Sequence, residues 1–375
     1  MKITSETTKC RFCLRTMPLE NKNQTCKECS AELKKYSTFN NRLHAFHGIF
    51  LNINEGIFLE TLENEISVDI FDESWENVIW AEIYEKPIFV PSKGHILRLD
   101  LPNCSIPDIP KSINELQHLR ILVLSNNGLK ALPEEIGELK YLLRLTCIQN
   151  PITEIPGSIQ NLYYLRKLVL ENNSIEKIPE NVGRLSNLRF LFLSSNKITT
   201  LPHQIGNLRN LLNLDLSSNA ISTLPENFKK LERLETLYLG NNNFTTFPDV
   251  ICQLESLLKL FLSKNQYLET ISPNIEKLSK LEELHLDRCN IKTLPSEIGS
   301  LKRLEKLYLQ NNKLKTIPMS ISDLPNLRTI DLRNNPLRIL PMALASKSML
   351  RIIISEKQRK KIDNIQYFKT NILYF

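Results

Sequence analysis

The sequence predicts an α/β solenoid: a horseshoe of short coils with parallel strands on its concave face, preceded by a small cysteine-rich module and a helical cap. Three observations predict it. A pattern of leucines closed by one asparagine returns every 23 residues over about two thirds of the chain. Inside each copy, apolar residues alternate with polar ones, the mark of a short strand with one buried face. Four cysteines form two C-x-x-C pairs ahead of the repeats.

The chain has 375 residues, 42% hydrophobic and 24% charged, which is enough apolar material for a large buried core. Its net charge of +7 is thin for a dedicated nucleic-acid binder of this size. No uncharged apolar run reaches the roughly 18 residues of a membrane span. The opening Met1-Lys2-Ile3-Thr4-Ser5-Glu6 has no apolar stretch of the signal-peptide kind, so a cytoplasmic location is expected. There the eight cysteines stay reduced unless they bind metal, and the sequon Asn23-Gln24-Thr25 carries no glycan.

Residues 1–35 hold Cys10-Arg11-Phe12-Cys13 and Cys26-Lys27-Glu28-Cys29. Two thiolate pairs at this spacing match the four tetrahedral ligands of a structural zinc ion, with Cys10, Cys13, Cys26 and Cys29 as ligands. Lys9, Arg11 and Lys27 partly offset the charge of such a centre, and so short a segment would draw much of its folding free energy from the metal. The layout resembles treble-clef and related zinc fingers. A redox dithiol pair is less favoured, because the βαβ setting is missing, and four thiolates leave no open position for catalysis.

Residues 36–95 are acidic, with three Lys/Arg against ten Asp/Glu. Leu33, Tyr36, Phe39, Leu43, Phe46 and Phe50 recur at steps of three and four, which predicts an amphipathic helix over 31–50. A second helical stretch is expected near 57–66. Trp75, Val78, Trp80, Ile83 and Phe89 then suggest short strands leading into the first coil. The two tryptophans read as core of an N-terminal cap, or else as an exposed contact site.

Residues 96–345 carry the repeats. Leu119-Arg120-Ile121-Leu122-Val123-Leu124-Ser125-Asn126-Asn127-Gly128-Leu129 shows the frame L-x-x-L-x-L-x-x-N-x-L. It returns around Asn150, Asn173, Asn196, Asn219, Asn242, Asn265, Cys289, Asn312 and Asn335, and one period earlier around Cys104, making eleven repeats. Only the step from Asn265 to Cys289 is 24, through an extra residue near 266–268. The asparagine is expected to be buried where the strand ends, its amide satisfying backbone groups of a neighbouring coil. Cys104 and Cys289 take that structural place in two coils. The second half of each unit reads L-P-x-x-I-x-x-L, as in Leu132-Pro133-Glu134-Glu135-Ile136-Gly137-Glu138-Leu139. Proline cannot donate to a strand ladder, so it belongs on the side away from the strands, followed by one short 3₁₀ or helical turn.

This chain resembles the leucine-rich-repeat family, most nearly its 23-residue intracellular, Ras-group-related class and prokaryotic relatives. The resemblance implies a protein-binding scaffold. Residues 346–375 would close the far end. Leu350-Arg351-Ile352-Ile353-Ile354 falls where a twelfth strand belongs, but no asparagine follows; Gln358-Arg359-Lys360-Lys361 stands there instead. Seven Lys/Arg against two Asp/Glu in 347–369 read as a polar cap, or as a tail that attracts phosphate or lipid.

The sequence offers little chemistry. The histidines, His44, His47, His95, His118, His203 and His285, form no metal-spaced pair with sequence neighbours. No phosphate-binding glycine loop and no G-x-S-x-G is present. Cys147 and Cys252 fall at apolar positions and read as core. A non-enzymatic chain without a small-molecule substrate is therefore expected. The residue between the two strand leucines should face out of the concave side: Asp100, Val123, Thr146, Val169, Phe192, Asp215, Tyr238, Phe261, His285, Tyr308 and Asp331. Aromatic anchors favour partner docking, so Phe190, Phe192, Tyr238, Phe261, His285 and Tyr308 are the candidate partner site; strand packing alone could also place them there. The leading expectation is a cytoplasmic scaffold or adaptor for protein partners in signalling. The alternatives are a zinc-finger nucleic-acid binder, admitted by eight Lys/Arg against four Asp/Glu in 1–35 but less favoured, and an adaptor for a ubiquitin-type ligase.

Overall fold

The computed structural model describes residues 7–9, 16–18, 43–46, 49–66, 71–72, 87–368 and 372–374. The chain falls into two compact units, Met1–Asn150 and Pro151–Phe375.

The first unit opens with β1 (Thr7–Lys9) and β2 (Thr16–Pro18), an antiparallel pair. Cys10, Cys13, Cys26 and Cys29 lie outside the described residues, as do Trp75 and Trp80. The amphipathic helix expected over 31–50 is corrected in its second half. Leu43–Phe46 (β3) and Ile49–Asn52 (β4) are antiparallel strands, with Phe46 opposite Ile49. Phe46, Ile49 and Phe50 are strand formers, so the helical spacing of Leu43, Phe46 and Phe50 was incidental. The first half of that stretch lies outside the described residues.

Helix α1 (Ile53–Ile66) spans the stretch expected near 57–66 and begins four residues earlier. It buries Phe58, Leu59 and Leu62. Strand β5 (Phe71–Asp72) pairs in parallel with β6 (Ile88–Ser92), which turns back antiparallel into β7 (His95–Asp100). The link is Lys93-Gly94, both with positive φ (51° and 80°), the backbone of a type I′ turn whose twist matches the strands. Strands β8 (Ile121–Val123) and β9 (Arg144–Thr146) continue in parallel from β7.

The second unit stacks β10 (Lys167–Val169), β11 (Phe190–Phe192), β12 (Asn213–Asp215), β13 (Thr236–Tyr238), β14 (Lys259–Phe261), β15 (Glu283–His285), β16 (Lys306–Tyr308), β17 (Thr329–Asp331), β18 (Arg351–Ile354) and β19 (Ile372–Tyr374), each parallel to the next. The middle residue of each three-residue strand from β10 to β17 is fully buried, because the alternation turns it inward. On the other side of each coil lies a five-residue 3₁₀ turn, such as Glu180–Arg184 or His203–Asn207, and the recurring proline stands just before it. In the 24-residue coil the proline moves inside the turn: Ser272 caps Pro273–Lys277, its hydroxyl accepting from the Asn274 N–H. The inserted residue lies earlier, between Asn265 and Leu268, where the Leu268 N–H donates to the Asn265 carbonyl at 3.1 Å, and from Leu268 on the coil is back in register.

The asparagine row does what its pattern implies. Asn196 Oδ1 accepts from the Ile175 N–H at 3.0 Å, while its Nδ2 donates to the carbonyls of Leu170 and Leu193 at 2.9 and 3.0 Å. Just before it the backbone enters the left-handed region at a non-glycine residue, Ser195 (φ 56°); the same holds at Asn172, Ser218 and Asn241. Cys289 Sγ reaches the Leu262 carbonyl at 3.4 Å from the asparagine's place. Cys104, Cys147, Cys252 and Cys289 are all buried. Burial pushes the Cys104 thiol up to about 11 and Cys289 to about 12, which keeps both as inert thiols.

Two features of the C-terminal end go beyond expectation. Gln358, one period after Asn335, takes over the row: its Nε2 donates to the Leu332 and Asn335 carbonyls, and its Oε1 accepts from the Asn334 N–H at 2.9 Å. A further parallel strand, β19, then pairs with β18.

Candidate functional site

Parallel strands in register set equivalent residues side by side. Tyr238 stands beside Phe261, Phe261 beside His285, and His285 beside Tyr308. Strand spacing is about 4.8 Å, close to the thickness of stacked rings, so the four rings tilt into one another. Their centroids are 4.4, 4.2 and 4.3 Å apart, with interplanar angles of 18°, 26° and 24°. Each of the four rings belongs to a half-buried residue. Nothing in a single coil could build this row; it arises from four successive coils agreeing in frame.

The row has charged neighbours. Glu283 lies between Lys306 at 2.9 Å and Lys259 at 3.4 Å. Burial works against its carboxylate, but the Lys306 hydrogen bond and both ammonium charges outweigh it and hold its pKa below the ordinary value. The hydrogen bond with Glu283 raises the pKa of Lys306 in return. His285 Nε2 is 3.6 Å from Glu283, too long for a hydrogen bond, and is buried without a partner. Burial lowers the His285 pKa more than Glu283 raises it. The ring is therefore neutral in the stack, with a nitrogen left to be satisfied.

Ahead of the stack, Phe192 and Phe190 are tilted rings 6.3 Å apart, and the Lys167 ammonium lies 5.4 Å from the Phe192 centroid. Asp215 separates them from Tyr238. Its Oδ1 accepts from the N–H and the hydroxyl of Ser217, and burial raises its pKa. All six candidate partner residues thus lie on the strand face of the second unit, with four in continuous ring contact.

The expectation that the whole column faces solvent is corrected. Asp100, Val123 and Thr146 are 0% exposed, Val169 3% and Asp331 1%. The acids are withdrawn by guanidinium forks: Arg98 holds Asp100 at 2.8 and 2.6 Å, and Arg333 holds Asp331 with its closest contact at 2.6 Å. Thr146 Oγ1 accepts from Arg144 Nε at 3.0 Å, and the two valines have no polar atom to keep at the surface. Only the aromatic part of the column, with Asp215, keeps a solvent edge.

Sequence reasoning also missed a cluster. His95 and His118 stack with centroids 3.7 Å apart, and the buried Glu55 lies against His95. Their separation of one repeat was the available signal; a search among sequence neighbours could not see it.

Among the described residues, no helix is long and apolar enough to cross a membrane. Residues 92–178 and 176–287 match the family model for a leucine-rich repeat region, and 279–337 match a second leucine-rich-repeat model. A leucine-rich-repeat protein of Leptospira interrogans is 31% identical with a TM-score of 0.54, the match covering 74% of this chain and 83% of that one. The plant peptide hormone receptor RGFR1, solved in complex with RGF2, is 27% identical with a TM-score of 0.54; 72% of this chain matches 48% of the receptor, about half its length. The functional domain of the InlJ protein from Listeria monocytogenes shares the fold at 20% identity, TM-score 0.60, over 74% of this chain and 59% of that one. A search of curated proteins finds no match. The chain belongs to the leucine-rich-repeat family, whose scaffolds commonly mediate protein–protein interaction.

Proposed function

We propose that the chain is a non-enzymatic scaffold that binds a protein partner on the strand face between Phe190 and Tyr308. The observation that carries this is the row Tyr238–Phe261–His285–Tyr308: four stacked, half-buried rings beside the Lys259–Glu283–Lys306 charges. Pre-stacked aromatics lose little conformational entropy on docking and offer a large area to desolvate. A receptor of the same family has been solved with a bound molecule, which agrees with this use of the fold.

The finger adds a second module. Four thiolates in C-x₂-C-x₁₂-C-x₂-C suit one structural zinc, and the β1–β2 pair flanks the first C-x-x-C in the chain. With zinc holding this module, the molecule would serve as a cytoplasmic adaptor in signalling. Affinity capture with the intact chain, followed by mass spectrometry, is the test. The triple variant F192A/Y238A/Y308A should lose the captured protein while its circular dichroism and urea midpoint show a folded stack. Unchanged capture would remove the strand face from the proposal. A salt-dependent mobility shift with DNA or RNA would favour a nucleic-acid role instead, and copurification of a transferase would favour a ligase adaptor.

A further inference from the structure

We infer that Glu55, His95 and His118 form a second metal site, in the first unit, for a divalent first-row transition ion such as zinc. Three separate elements deliver the ligands. Glu55 sits in the first turn of α1. His95 opens β7, directly after the tight Lys93-Gly94 turn. His118 lies between the 3₁₀ turn Lys111–Glu115 and β8, one repeat beyond His95. That one-repeat separation stacks the two imidazoles at 3.7 Å and 26°.

One donor atom from each of the three lies within 4.8 Å of the other two. Ligand atoms about 2.0–2.2 Å from a tetrahedral ion lie about 3.4 Å apart, so closure needs about an ångström of approach and a turn of the His118 ring out of the stack, because an ion binds in the plane of each imidazole. His118, the exposed member, is free to supply it. The other two are held. Glu55 is 1% exposed; its Oε2 accepts from the Ile96 N–H at 2.6 Å, and its Oε1 is 2.8 Å from His95 Nδ1. As a ligand, Glu55 would turn its Oε1 from His95 Nδ1 to the ion, while its Oε2 stays fixed by the Ile96 N–H. Two imidazoles and one carboxylate suit zinc and its neighbours better than calcium or magnesium, which prefer oxygen alone. Three protein ligands also leave coordination positions open to water.

The test uses the full chain and zinc chloride as the probe, with isothermal titration and metal analysis after dialysis. The wild type is compared with His118→Ala, which alters an exposed side chain, and with Glu55→Gln, which keeps an acceptor for the Ile96 N–H. Circular dichroism checks that both stay folded. Each variant should bind one ion fewer per chain than the wild type, or bind that ion at least about tenfold more weakly. The comparison reads a difference, so any ion held by the four N-terminal cysteines cancels. Equal stoichiometry and equal affinity in all three proteins would overturn the inference.

Discussion

The asparagine row can be tested at Asn196. Asn196→Ala removes one acceptor and two good donor contacts from the coil interior. The Leu170 carbonyl keeps a hydrogen bond from Asn173 and the Leu193 carbonyl keeps one from Asn219, so neither is orphaned. The Ile175 N–H is different: it loses the Asn196 oxygen at 3.0 Å and lies where water does not reach. An unpaired buried donor costs about 1–3 kcal/mol, and each lost donation about 1 kcal/mol. The sum is about 3–5 kcal/mol, with the orphaned donor as the largest share. Urea unfolding followed by circular dichroism measures it, provided the m-value stays constant. Asn243→Ala serves as control, since that exposed side chain has only a 3.5 Å contact; it should change stability by less than about 0.5 kcal/mol. Asn196→Cys should cost less than the alanine, because Cys289 already fills the equivalent place with a contact to a carbonyl. A loss below about 0.5 kcal/mol for Asn196→Ala would show that the row does not stabilise the stack.

Three other outcomes are tied to particular residues. Burial lowers the His285 pKa beneath 6.5, so with falling pH the unfolded chain takes up this proton before the folded one does. Above 6.5 the ring is neutral in both states and contributes no pH dependence; below it, stability is lost until the folded pKa is passed. Wild type should therefore lose more stability than His285→Phe between about pH 7.5 and about pH 5.5 in urea titrations, and equal losses would contradict the burial argument. At Gly206 a Cβ would fall inside contact distance of the Asn227 carbonyl in the next 3₁₀ turn, so Gly206→Ala should destabilise by about 1–3 kcal/mol. Gly128, whose added Cβ would meet its nearest atom at 3.6 Å, should accept alanine at no cost in the same thermal or urea assay.

Much of the repeat region was legible because one short frame is written many times. Each coil packs mainly against its neighbours, so a periodic asparagine or leucine has the same environment in every copy. That reasoning reached the strand positions, the 3₁₀ turns, and the roles of Cys104 and Cys289. It stopped where a residue played a familiar part in unfamiliar form. Gln358 stands one period past Asn335, but its longer side chain and the basic residues after it read as a tail. The hairpin of Leu43–Asn52 imitated helical spacing, since apolar residues three and four apart satisfy either pattern over so short a run.

By itself, then, the sequence determined the coil length, the register and the aromatic column, because these depend on contacts between residues one period apart. The tertiary structure alone decided which members of that column keep a solvent edge: guanidinium forks from Arg98 and Arg333 withdraw Asp100 and Asp331, and only the rings from Tyr238 to Tyr308 join into a surface. It alone also brought Glu55 to His95. Those residues are 40 apart and share no period, so only the packing of a helix against the first coil could make them neighbours.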